Sequence, residues 1–149
     1  MRYGPTSRSK MRKTLLFLCV HNSARSQMAE GLVNAFHADR YQASSGGTAA
    51  AGVHPAAIKV MAEIGIDISG QRSKNIDEFA GRTFDYVVTV CDDRQADCPL
   101  FPGGKEHIHH SFEDPAACPG TDEDVLACFR GCRDDLRAWI EGTFGKETA

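Results

Sequence analysis

Apolar and polar positions alternate between two periods along this chain. Thr14 to Leu18 is a near-continuous apolar run, which predicts a buried strand. Met28, Leu32, Val33 and Phe36 then recur at helical spacing and predict an amphipathic helix ending near Asp39-Arg40. Tyr41 to Ser45 reads as a second strand, broken by Gly46-Gly47. Pro55 suits the first turn of a second helix with Ile58, Met61, Ala62 and Ile64 as its buried stripe and Gly65 closing it. Ile76 to Phe79 predicts a short helix, Tyr86 to Val90 a fully buried third strand, and His107 to Phe112 a weaker fourth. Thr121, followed three residues on by Asp124, marks a capping box. The helix it opens carries the stripe Val125, Phe129, Cys132, Leu136, Trp139, Ile140 and Phe144. Strands alternating with helices predict an α/β fold around a central parallel sheet, with its ligand outside the carboxyl ends of the strands. Cys19, Cys91 and Asp114 each follow a predicted strand, so all three are expected at that edge.

The first of these edges carries the densest chemistry. Five residues separate Cys19 from Arg25 in Cys19-Val20-His21-Asn22-Ser23-Ala24-Arg25-Ser26, enough for the backbone to curl into an anion-binding bowl at a helix N-terminus. The helix terminus, the Arg25 guanidinium and the Ser26 hydroxyl would each favour the thiolate of Cys19, the nucleophilic form. Arg25 offers a planar fork to two oxygens of a tetrahedral anion. His21, Asn22, Ser23, Ala24, Arg25 and Ser26 are the expected binding residues, and Asn22 tolerates the left-handed backbone such a turn demands. On Cys19 and Arg25 alone, a buried apolar thiol and a solvated helix arginine explain the pattern equally well.

With 149 residues, the chain can bury a core without disulfide or metal. Residues 1–13 carry no period and are expected to form a mobile tail, with Met11 a possible start, ahead of a single domain over 14–149. The net charge of −3 gives no reason to expect nucleic acid or an anionic membrane as partner. No stretch reaches the roughly 20 apolar residues of a membrane span, and the run after Arg12-Lys13 is too short for a signal peptide. A cytoplasmic monomer is the expectation, with its six cysteines reduced and no bound cofactor or metal. Cys128 and Cys132 fall on the last helix and read as structural thiols, while Cys118 has no assigned role. A zinc site built from Cys91, Cys98, His107, His109, His110 and Cys118 is weakly supported, because Cys91 and Cys98 are too widely spaced for the usual structural pattern.

The run from Cys19 to Ser26, continued by Gln27-Met28-Ala29-Glu30, resembles the active-site loop of thioredoxin-coupled arsenate reductases, which share the low-molecular-weight protein tyrosine phosphatase fold. The phosphatases usually carry Ile at the position of Ser23 and Pro at that of Gln27. The resemblance implies a four-stranded sheet in the order 2-1-3-4. It also gives meaning to Cys91-Asp92-Asp93-Arg94-Gln95-Ala96-Asp97-Cys98-Pro99, a spacing found in these reductases and lacking in the phosphatases. As the resemblance implies, Cys19 attacks arsenate, Cys91 attacks Cys19 sulfur to expel arsenite, and Cys98 takes the disulfide to Cys91–Cys98 for thioredoxin to reduce. Such a relay requires residues 91–106 to rearrange, bounded by Pro99, Pro102 and Gly103-Gly104.

Phe112-Glu113-Asp114-Pro115-Ala116 resembles the segment supplying the general acid of this fold, with Asp114 protonating the leaving oxygen; a turn-initiating Asp-Pro explains it as well. An aromatic usually follows the Asp-Pro in the phosphatases, and Ala116 suits a small inorganic anion better. Some members bind potassium through positions matched by Asn22, Glu30 and Ser44, with Arg72 and Lys74 standing where oxygen ligands are found, so potassium activation is not expected. The competing readings are a low-molecular-weight phosphatase and a non-catalytic thiol sensor.

Overall fold

The computed structural model describes residues 12–92 and 100–145. The expected tail over 1–13 lies almost wholly outside the described residues. Four strands, β1 (Lys13–Leu18), β2 (Tyr41–Gly46), β3 (Phe84–Thr89) and β4 (Gly104–His109), form one parallel sheet in the order β2-β1-β3-β4. Three helices intervene or follow: α1 (Arg25–Phe36), α2 (Pro55–Ala62) and α3 (Asp122–Phe144).

β1 is central because it is apolar on both faces. Leu15 and Phe17 enter the large core shared with all three helices, whereas Leu16 and Leu18 join Phe79, Phe84, Val87 and Phe101 on the other face. A 3-10 turn, Ile76–Phe79, covers that second side. Burying each large side chain fully contributes about 1.5–3 kcal/mol, so a strand with four such residues at 0% exposure has no stable place at an edge. β4 is an edge strand and mostly exposed.

Several boundaries differ from the sequence reading. β4 begins at Gly104, three residues before its predicted start. Pairing with β3 settles this: Phe84 lies opposite Gly104, and Phe84 N–H donates to the Gly103 carbonyl at 2.8 Å. In α2 the buried residues are Ala57, Val60 and Met61, while Ala62 is exposed. Phe36 is 39% exposed and lies under the Arg137 guanidinium, 4.4 Å from its ring centre, an interaction that offsets part of the exposure.

The capping box of α3 is complete. Thr121 Oγ1 accepts from Asp124 N–H at 3.2 Å, and Asp124 Oδ2 accepts from Thr121 N–H at 2.9 Å. α2 and α3 are clamped by charge. Arg133, 8% exposed, donates to the Val60 carbonyl and to Glu63 Oε1, both at 2.9 Å. Arg130 forks onto the same carboxylate. Its hydrogen bond, then those of Arg133 and the two positive charges, pull the Glu63 carboxyl down to about 2.

Candidate active site

Between β1 and α1 the chain runs through Cys19 to Ala24, and its tightness rests on Asn22. Asn22 has φ 47°, the one left-handed non-glycine residue among those described, a conformation asparagine accepts more readily than most. Its buried side chain is held on each side. Nδ2 donates to Ser26 Oγ at 2.7 Å, while Oδ1 accepts from Gln27 Nε2 at 2.9 Å and Lys74 N–H at 2.8 Å. Gln71 in turn donates to Gln27 Oε1 at 2.7 Å. The Ser26 hydroxyl, which accepts from the Asn22 amide, also lies 2.8 Å from the Cys19 sulfur and can donate its proton to it once the thiol is ionised.

The loop turns its carbonyls outward. Val20 O accepts from Ala49 N–H, His21 O from Ala51 N–H and the Ser73 hydroxyl, and Ser23 O from His54 N–H, at 2.9 to 3.2 Å. In a trans peptide the next N–H points the opposite way, and no cis bond is present among the described residues. The N–H groups of His21, Asn22 and Ala24 therefore face the interior. α1 adds its first turn without a side-chain cap, which keeps its N–H groups available to an anion. Gly47 backs the loop: a Cβ there would run into the Cys19 and Val20 carbonyls.

Arg25 is buried at the rim, donating from Nη1 to the Phe112 carbonyl at 3.1 Å, with Nη2 3.7 Å from Asp114 Oδ2. Asp114 caps the 3-10 turn Pro115–Ala117 by accepting from Ala116 N–H at 3.0 Å. The turn-initiating and bowl-facing readings of Asp114 thus coexist in one side chain. A tetrahedral oxyanion in this bowl would meet inward N–H groups, a buried guanidinium and a sulfur supported by a hydroxyl.

Cys91 follows β3 and is buried beside β1, the strand that leads into Cys19. Val90 N–H donates to the Leu18 carbonyl at 2.9 Å, and Cys91 Sγ lies 4.0 Å from the same oxygen. Cys91 is disulfide-bonded, whereas Cys19 and Cys132 are free. Cys98 lies outside the described residues. Cys118 and Cys128 are joined to each other. This corrects the expectation that all six thiols are reduced: Cys128, read as a structural thiol, is half of a disulfide. Helix α3 and the turn ending at Cys118 bring the two sulfurs together, a proximity that spacing along the chain does not reveal. No group of three His, Cys, Asp or Glu side chains among the described residues is arranged to hold a metal ion.

The residues matched to a potassium site do not fit that ion. Lys74 Nζ donates to the Arg72 carbonyl at 2.7 Å and lies 3.9 Å from Glu30 Oε1, so an ammonium already supplies the positive charge there. Arg72 is turned onto Glu78. The hydroxyl that donates to Glu30 belongs to Ser45 at 2.5 Å, not to Ser44. Burial pushes the Glu30 carboxyl up, opposed by the Ser45 hydrogen bond and then by the Lys74 charge. Sequence reasoning missed Gln27, Gln71 and Ser45 as supports. The available signal was polar side chains beside an apolar run, which must find partners if buried.

Residues 14–140 match the family described as low molecular weight phosphotyrosine protein phosphatase. The arsenate reductase of Halalkalibacterium halodurans is 46% identical over 125 residues, spanning 84% of this chain and 90% of that protein. A solved arsenate reductase in the phosphate-binding state superposes with TM-score 0.76 at 34% identity, over 91% of this chain and 99% of that one. A thioredoxin-dependent arsenate reductase of Corynebacterium glutamicum gives TM-score 0.64 at 26% identity, over 92% of this chain and 64% of that one.

Proposed function

This chain belongs to the low molecular weight phosphotyrosine protein phosphatase family, and from that premise we propose that it reduces arsenate to arsenite through a three-cysteine relay recharged by thioredoxin. The observation that carries the reading is the placement of Cys91, whose sulfur lies against the carbonyl of the residue preceding Cys19. A phosphatase has no use for a second sulfur at that point. The reductase names borne by the relatives support the same reaction, and the Corynebacterium enzyme supports thioredoxin as reductant.

The Cys19 thiolate, hydrogen-bonded by Ser26, attacks arsenic(V) in an oxyanion held by Arg25 and the inward N–H groups. Asp114 protonates the departing oxygen, which leaves as water. Cys91 thiolate then attacks Cys19 sulfur: a sulfur–sulfur bond forms, the sulfur–arsenic bond breaks, and its electron pair stays on arsenic as arsenite. Cys98 attacks Cys91, frees Cys19, and leaves the Cys91–Cys98 disulfide for an external dithiol. The free Cys19 beside a disulfide-bonded Cys91 is the pattern expected once the disulfide has moved off the nucleophile.

The test is NADPH consumption by the protein with arsenate, thioredoxin and thioredoxin reductase. Turnover dependent on arsenate and abolished by Cys98→Ser and by Cys91→Ser is the expected result. Arsenate-independent NADPH loss, or turnover that survives both substitutions, contradicts the relay. Hydrolysis of a phosphate ester by a protein inactive with arsenate supports the phosphatase alternative.

A further inference from the structure

A cavity of about 1160 Å³ adjoins the bowl, sharing Asp114 with it, and Cys118, Cys128 and Cys132 all line it. None of the three has a part in the relay. Cys118 and Cys128, with Cα atoms 6.5 Å apart, are disulfide-bonded, so their sulfurs reach the same point in space. Cys132 is free, buried, and one helical turn beyond Cys128 on α3, which puts both on one helix face. Cys132 lines the same cavity as Asp114, whose carboxylate pairs with Arg25 at the rim of the bowl.

We infer that Cys118, Cys128 and Cys132, once the Cys118–Cys128 disulfide is reduced, form a second thiol site that binds trivalent arsenic as arsenous acid through three arsenic–sulfur bonds. The inference rests on the proposed function only for its ligand, since arsenite is the product released next to this cavity. An external dithiol supplies two electrons and two protons, becoming a disulfide as Cys118 and Cys128 become thiols. Arsenous acid then exchanges its three hydroxyls for three thiols: three arsenic–sulfur bonds form and three waters leave, with no change in oxidation state or charge.

That balance favours arsenic over a divalent cation. Burial pushes the Cys132 thiol up to about 12, so a metal ion must drive off a tightly held proton and leave a charged complex in a buried place. Arsenous acid carries the thiol protons away as water. With the disulfide intact, two of the three sulfurs are consumed in their own bond.

The experiment uses the full chain carrying Cys19→Ser, Cys91→Ser and Cys98→Ser, so that no relay thiol can take up arsenic. The protein is reduced with a phosphine, desalted and titrated with sodium arsenite. One equivalent retained, three sulfur neighbours by arsenic X-ray absorption, and affinity at least about tenfold weaker on adding Cys132→Ser are expected, a factor of ten corresponding to about 1.4 kcal/mol. No retention, or two-sulfur coordination indifferent to Cys132→Ser, overturns the site. The unsubstituted reduced protein gives a second readout without substitutions: arsenite must protect Cys118 and Cys128 from iodoacetamide, and labelling of these two unaffected by arsenite overturns the site as well. The thioredoxin-coupled assay separates the two proposals. Arsenite retention without arsenate turnover upholds this site and rejects the relay, and turnover without retention does the reverse.

Discussion

Lys74 illustrates how one residue changes what a shared fold requires. Its backbone N–H holds Asn22 Oδ1 and its ammonium stands between the Arg72 carbonyl and Glu30, so it braces the bowl and supplies a fixed charge behind it. We expect exchange of sodium for potassium at equal ionic strength to leave the rate of arsenate-driven NADPH oxidation unchanged; a potassium-specific increase would contradict this. Lys74→Met removes the charge facing a half-buried carboxyl and should cost about 1 kcal/mol in urea unfolding, the scale of one polar interaction. The neighbouring roles are equally individual. Asn22 contributes a left-handed turn and two hydrogen-bonding ends, and Ser26 receives one of those ends while its hydroxyl stands against the Cys19 sulfur.

At the scale of elements, the sheet positions the chemistry and the helices hold the sheet. β1 and β3 are neighbours, so the segments that leave their carboxyl ends, with Cys19 and Cys91, leave side by side. α3 packs on both other helices, and its clamp to α2 runs through Glu63. The hydrogen bonds from Arg130 and Arg133 hold the Glu63 carboxyl down to about 2 against an ordinary 4.5, so it binds its proton less readily folded than unfolded. By linkage, its contribution to stability is complete above pH 4.5 and disappears as pH falls toward 2. Glu63→Gln should therefore lower the melting temperature at pH 7, and the gap from the unsubstituted protein should close as the pH is brought down through that window. A gap that persists at its lower end would show that the effect is packing and not charge.

At the scale of the whole molecule, the relay asks Cys91 to meet two different sulfurs from a rigid strand end. Gly103 and Gly104 are anchored by pairing with β3, so within the 91–106 span expected to rearrange we predict the change to concentrate before β4. Amide exchange should differ between reduced and oxidised protein over residues 91–102, while Val87, Val88 and Ile108 keep the same protection in both. Equal protection throughout would leave the relay without the movement it needs. Among the described residues no helix is long and apolar enough to cross a membrane.

The periodicities, the capping box and the loop from Cys19 to Ser26 were legible in the sequence because each depends on contacts within a few residues. So were the element order and the edge at which Cys19, Cys91 and Asp114 gather, since a parallel α/β sheet sends its strand ends the same way. The register that starts β4 at Gly104, the Arg25–Asp114 pair, the Gln27–Gln71 and Glu30–Ser45 supports, and the joining of Cys118 to Cys128 were decided only by the tertiary structure. Each links segments whose separation along the chain carries no information about their distance. Packing the helices on a twisted sheet supplies that distance, and with it the partner that every buried polar group must find.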